Sequence, residues 1–404
     1  MKKSFAALAA VAVACSASAQ SSVRLFGVLD AAVNYSSNES YADRSGNTVK
    51  AASTTMRTGG YNTSRLGFRG TEDLGGGLSA GFWLETTLRN DTGAAGGGGN
   101  QLFNRRATVS LAGGFGEIRL GRDYVPTYWN DIVFDAFGIV GAGRNPNAIG
   151  EGGTLIGQAL GIAGNDNYDR ANNSISYYLP KLGGFYGQVM YGLPERIEYD
   201  PASATPTTSA LSFDARYAGG RFGYANGPLD IAIAYGENVV SRNFQAGGRA
   251  KTKIGNFGAS WDFGYMKLMG EYNQTDVDSN VVTPTAIGLI PVGAPVNINA
   301  SSKGYLIGAR VPVGAGQVRV SYSYTDYDLG NNATDDPETQ KFAIGYVHNL
   351  SKRTALYTTA AYLKNKNTDA GAARGLSMTV GGPTAGLGGV EKSMGYEAGI
   401  RHSF

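Results

Sequence analysis

The chain closes on "SMGYEAGIRHSF", residues 393–404, and its last residue is the aromatic Phe404. Taken alternately, Tyr396, Ala398, Ile400, His402 and Phe404 fall on one side, and Gly395, Glu397, Gly399, Arg401 and Ser403 on the other. Successive side chains of a β-strand point to opposite faces, so the stretch predicts a strand with one mostly apolar and one polar face. The final ring then needs a surface to anchor on.

The opening "MKKSFAALAAVAVACSASAQ" suggests what that surface is. Lys2 and Lys3 precede an apolar run from Phe5 to Ala14, followed by Ala17-Ser18-Ala19. That order predicts a secretory signal peptide over residues 1–19, cleaved after Ala19, with a mature domain over 20–404. A lipid-anchored Cys15 is a weaker option, because "VAVA" before it lacks the Leu usual in a lipobox. Removing 1–19 leaves no cysteine, so no disulfide framework is expected despite export.

Without Lys2 and Lys3 the 35 basic residues fall to 33, against 32 acidic ones, which gives no support to a nucleic-acid partner. Glycine is 60 of 404 residues, roughly twice its usual share of about 7%. Tyrosine, at 24, outnumbers 16 Phe and 3 Trp together. After residue 19 no apolar run approaches the ~18 residues of a membrane-spanning helix. A Gly- and Tyr-rich exported chain of weak alternation fits a transmembrane β-barrel, where only every second residue meets lipid.

Walking the chain gives sixteen alternating segments, from 23–35 and 62–72 through 116–124 and 172–180 to 354–364 and 394–404. Seven short connections, such as "EDLGGG", "AGGFG", "ANGP" and "VGAG", alternate with eight long ones. In "QVRVSYSYTDY" (317–327), Val318, Val320, Tyr322 and Tyr324 oppose Gln317, Arg319, Ser321, Ser323 and Thr325. A β-sandwich would alternate likewise. Strand length, tyrosines clustered at strand ends, and the closure that lipid demands favour one all-β, 16-stranded antiparallel transmembrane barrel with both termini on the short-turn side.

These residues resemble the Gram-negative general (non-specific) trimeric porins, most closely their β-proteobacterial branch. The resemblance runs over essentially all of 20–404. It is carried by "VRLFGVLDAAVNY", "SRLGFRGTEDLGGGLSAGFWLE", "FNRRATVSLAGGFGEIRLGRDY", "RANNSISYYLPKLGGFYGQVMYG" and "YEAGIRHSF". It implies an outer-membrane, water-filled diffusion channel for ions and small hydrophilic solutes. The implied partners are two further copies in a homotrimer, outer-membrane lipid and lipopolysaccharide, and the outer-membrane assembly machinery. Phe404 would be both an interfacial anchor and the signal read at membrane insertion.

Sixteen strands leave a wide lumen, and in this family the third loop folds inward to narrow it. Residues 125–168 carry Trp129, Ile132, Val133, Phe134, Phe137, Ile139 and Val140, too apolar for a loop in water, so packing on the barrel wall is expected. The resemblance matches the family's acidic loop residues to Asp131 and Asp135, although "DAF" replaces the enterobacterial Pro-Glu-Phe. It matches the basic wall to Arg65, to Arg105 or Arg106, and to Arg170, with Arg122 a further candidate. A lysine expected in the first strand is missing, and a lumen-phased Asp30 lies nearby. Three or four arginines against two aspartates imply a modest anion preference, weakened by Asp30.

An enzyme would need a His beside a nucleophile. After residue 19 only His348 and His402 occur, neither in a Gly-x-Ser-x-Gly context, so no catalytic residue is expected. No Cys/His spacing suggests a metal, and no cofactor is expected. A substrate-specific channel, the alternative reading, would carry an aromatic slide, whereas the lumen-phased residues are mainly small, Ser/Thr or charged. An adhesin or structural barrel would be plugged.

Overall fold

The computed structural model describes residues 22–43, 45–96, 101–147, 168–194, 211–243, 248–282, 295–330, 336–369 and 376–404. The expected signal peptide lies outside them.

The described strands are β1 Ser22–Ser40, β2 Lys50–Thr58, β3 Arg65–Gly75, β4 Leu78–Arg89, β5 Ala94–Ala95, β6 Arg106–Gly113, β7 Gly116–Tyr124, β8 Arg170–Tyr178 and β9 Phe185–Gly192. They continue as β10 Leu211–Asn226, β11 Leu229–Asn243, β12 Gly248–Asp262, β13 Lys267–Val282, β14 Pro295–Val313, β15 Gly316–Asp328, β16 Glu338–Asn349, β17 Thr354–Lys366 and β18 Val390–Ser403. One helix, α1 Pro126–Phe134, follows β7. Two strands are not staves of their own. β3 pairs with Ser22–Val28 of β1 and β2 with Ala31–Glu39 of the same strand, so β2 and β3 form one broken stave. β5 only extends the edge of β4. Sixteen antiparallel staves result, and β1–β18 pairing closes them into a barrel.

The break between β2 and β3 has a visible cause. Asp30 accepts backbone N–H bonds from Gly60 (3.2 Å), Tyr61 (3.0 Å) and Asn62 (2.6 Å), and the hydroxyl of Tyr357. A buried carboxylate thus satisfies three amides that leave the ladder at the kink. Asp30 has the inward phase the sequence gives it, but it is fully buried in this turn.

Burial is inverted relative to a water-soluble protein. Val23, Leu25, Ile233, Phe257, Ile307, Phe342 and Ile400 stand exposed on the outside, while Asn256, Asn273, Thr275, Ser321, Ser323 and Thr325 are buried inside. In lipid the outer row is the solvated one. At the seam, Gly27 N–H donates to Phe404 O (3.1 Å) and Phe404 N–H to Gly27 O (3.0 Å). A Cβ on Gly27 would overlap the Phe404 ring, so glycine lets the terminal ring lie flat on β1.

The long connection after β7 turns into the barrel, as expected of the third loop. α1 packs on β9–β13. A Cβ on Gly258 would overlap the Phe134 ring, and one on Gly304 the Asn147 amide. Glycine at both sites lets the loop lie against the wall. Ala136, Phe137 and Ala142 join Met269, Ala343, Ala361, Leu363, Met378 and Val380 in an apolar cluster inside the barrel. The segment around Met378 and Val380 therefore also turns inward, which the sequence reading did not anticipate. Asn365 Nδ2 donates to Met378 O (2.9 Å) and holds it there.

Candidate functional site

A cavity of about 770 Å³ lies at the waist, between β3–β8 and the inward loop. Alternation sends every second side chain of a stave into the lumen. Gly67 and Arg69 share the inward phase of Arg65, and Arg65 lines the cavity. Thr108 and Ser110 share that of Arg106. Arg105 precedes β6, is freed from its alternation, and turns inward as well. The choice the sequence left open between Arg105 and Arg106 dissolves, since both line the cavity.

The arginines are held by acids and a phenol. Arg105 Nε donates to Glu85 Oε1 (2.5 Å), and Arg65 Nε lies 3.9 Å from the same oxygen. Arg105 and Arg170 both donate through Nη2 to Tyr124 Oη (2.7 Å each), and Arg170 also pairs with Asp169. The Arg170 guanidinium stacks 4.3 Å from the Tyr124 ring centre. Arg106 lies 3.6 Å from Asp123 and 4.5 Å from the ring of Trp83. Arg122 is placed elsewhere. It has the outward phase of Ile118 and Leu120 and donates to Asn104 O (2.6 Å) and Asn172 Oδ1 (2.7 Å) beside a bulge at Gly121. It does not line the cavity.

The loop acids are also not where the resemblance put them. α1 buries Thr127, Asn130, Asp131 and Phe134 against the wall, a spacing of one helical face. Its other face presents Trp129, Ile132 and Val133 to the cavity. The barrel's inner wall is polar, so a helix lying on it turns its polar face outward to the wall and its apolar face to the pore. Asp131 accepts from Asn256 (2.7 Å), Asn273 (3.2 Å) and Tyr168 (3.3 Å). Asp135 accepts backbone N–H bonds from Phe137 (2.9 Å), Ile139 (2.8 Å) and Asn145 (3.1 Å) and so builds the turn after α1. Burial pushes both carboxyls above their ordinary range against those hydrogen bonds. At 1% and 0% exposed, neither faces the arginines across open water. Asp30, buried at the β2–β3 kink, does not line the cavity either.

Two arginines that sequence reasoning passed over complete the waist. Arg310 and Arg319 are a direct cross-strand pair of β14 and β15 and line the cavity from the opposite side. Arg310 donates to Asp135 O (2.9 Å) and Ala136 O (2.8 Å), carbonyls just past the end of α1, where a cation is favoured. Arg319 lies 4.4 Å from the Tyr61 ring. Their signal was present: each arginine interrupts a run of outward Val or Ile at the inward phase. The cavity thus has six lining arginines (65, 105, 106, 170, 310 and 319) against Glu85 and Asp169, with the third side apolar. An excess of arginines at a constriction attracts anions.

His348 sits 3.3 Å from Tyr346 Oη and His402 2.9 Å from Thr354 Oγ1, both away from the cavity.

Known proteins share this architecture. The Gram-negative porin family's sequence pattern matches residues 6–368. Outer membrane porin protein 32 of Delftia acidovorans is 38% identical over 406 residues, covering 100% of both chains. An outer membrane porin protein of Bordetella pertussis is 31% identical, covering 90% of this chain and 95% of that one. Among solved structures, an anion-selective porin from Comamonas acidovorans superposes with a TM-score of 0.69 at 35% identity, over 95% of this chain and 100% of that one. OmpT of Vibrio cholerae, solved in trimer form, does so at 0.60 and 13% identity, over 95% and 99% respectively, which is a likeness of fold.

Proposed function

Because the chain belongs to the Gram-negative porin family, we propose that its basic waist sets the selectivity of this outer-membrane diffusion channel in favour of anions. Small hydrophilic solutes and ions pass down their gradients through the water-filled lumen. The observation that carries the preference is the six-to-two excess of lining arginines over acids, with Asp131 and Asp135 buried in the loop's own bonding. Net charge is nearly balanced, so the local cluster and not the whole molecule must select. The similar Comamonas acidovorans porin is described as anion-selective, which agrees.

In a KCl gradient the zero-current potential of purified channels should favour chloride. Replacing Arg65, Arg105 and Arg170 by Ser should lower the anion-to-cation ratio severalfold at ~0.1 M salt, and far less at ~1 M, where screening acts within about 3 Å. A triple variant as anion-selective as the parent would remove these arginines from the filter.

The same reading makes the chain a homotrimer exported by residues 1–19 and inserted through Phe404. The eight- and nine-residue staves β6–β9, the shortest full staves described, support burial of that side by neighbouring copies. The backbone pairing of Phe404 across the seam supports a closing role. Deleting Phe404 should reduce heat-resistant trimer in outer-membrane fractions far more than changing Lys364. Equal trimer in both strains would refute the role.

A further inference from the structure

Directly opposite one another on β1 and β3 stand two arginines, Arg24 and Arg69, on the short-turn side of the waist. Like charges facing each other across a ladder repel. Neighbouring arginines of this wall have acids at hand: Glu85 for Arg65 and Arg105, Asp123 for Arg106 and Arg119, Asp169 for Arg170. Glu117, which lines the same cavity, is engaged by Arg119 at 3.0 Å. Arg24 and Arg69 form no ion pair among the described residues, although both point into the lumen.

The row continues with Trp83 of β4, the cross-strand partner of Arg69. The Arg69 guanidinium lies 5.0 Å from the Trp83 ring and 5.3 Å from that of Phe26. Phe26 meets Trp83 edge to face at 5.0 Å, and the indole N–H donates to Glu85 Oε2 (3.1 Å). The ring is therefore fixed in place and backed by a second ring. Arg24, Arg69 and Trp83 line a cavity of about 460 Å³ that shares Trp83 and Arg106 with the waist cavity. A solute on this path passes from one cavity to the other over the indole.

Chloride would use only the charge of such a row. A carboxylate matches the guanidinium forks in geometry as well as charge, and a flat conjugated body matches the layer of indole and guanidinium planes. We propose that Arg24, Arg69 and Trp83 form a binding subsite for aromatic carboxylates on the periplasmic, short-turn side of the waist. It rests on the anion reading above and adds a chemical class to it. Small ions would cross ohmically, while aromatic acids would dwell at this row and saturate.

The test uses folded trimers in planar bilayers at ~0.1 M KCl, where charges act over about 10 Å. 2-Naphthoate is added to the short-turn side, with acetate as the control of equal charge. Naphthoate should give brief, saturable blockades and acetate none. The association constant should fall roughly tenfold in Trp83→Ala and in the Arg24→Ser/Arg69→Ser pair, and be largely regained in Trp83→Phe and Arg69→Lys. Retention of the heat-resistant trimer band checks folding of each variant. Blockade of equal strength in the parent and in both disabling variants overturns the subsite, as does a parent channel that treats naphthoate like acetate. The zero-current potential in the same membranes separates the two readings. Chloride preference without blockade removes the subsite alone, whereas potassium preference removes its premise.

Discussion

The two halves of the inner wall follow one alternating pattern and put it to different uses. From β3 to β8 the inward row carries Arg65, Arg105, Arg106, Arg119 and Arg170, interleaved with Glu85, Asp123 and Asp169. On β12 and β13 it carries Asn256, Asn273 and Thr275, with Gly258 where the loop comes close, before Arg310 and Arg319 of β14 and β15 bring charge back to the pore. The first half is a field and the second a dock. Charge on one side is tolerated because each arginine has an acid beside it, while the acids on the other side are sealed under the loop. A carboxylate therefore matters to selectivity by what lies over it and not by its place in a motif.

That contrast can be broken at its strongest point with Glu85→Gln. Arg105 would lose its buried partner beside Arg65, and losing one member of a buried pair costs about 3–5 kcal/mol. The melting temperature of the folded channel should fall clearly, and the surviving channels should be more anion-selective. An unchanged melting temperature would mean that Tyr124 alone suffices to hold Arg105.

The dock is tested by Gly258→Val. The new side chain would meet the Phe134 ring, and overpacking of this kind costs roughly 1–3 kcal/mol. That is on the order of tenfold in the docked-to-undocked ratio of the loop. Single-channel conductance should become larger and noisier, with selectivity little altered. A trace as quiet as the parent's would show that the wall yields instead.

Smallest, and sharpest for the comparison, is Asp135→Asn. It removes a carboxyl from the loop, yet that carboxyl is buried in backbone hydrogen bonds. The zero-current potential should shift much less than in Glu85→Gln. Equal shifts would erase the distinction between field and dock.

The barrel was legible because alternation and turn residues act locally. "QVRVSYSYTDY" shows its two faces without help from any neighbour. The broken stave was not, since "KAASTTMRT" becomes β2 only by pairing with the upper half of β1 around the Asp30 turn. Arg65, Arg105, Arg106 and Arg170 were legible because inward phase or a motif marked them. Asp131 and Asp135 were misplaced because their motif was read as a loop. Read at helical period, Thr127, Asn130, Asp131 and Phe134 share one face, and a polar wall selects that face. Asp30 was assigned the correct phase but not its burial, which depends on Tyr357, more than three hundred residues away.

The Gly27–Phe404 pairing ties the first stave to the last, so the closing contact joins residues almost as far apart in sequence as this chain allows. Contacts of such separation form late, because the entropy of gathering the intervening chain must be met first. Until β18 arrives, β1 presents an unpaired edge that invites pairing with another copy. Closure at Phe404 should therefore be the slow, committing step of folding. Connecting the two ends through a linker and opening the chain at a long loop would move that step elsewhere without altering the finished barrel.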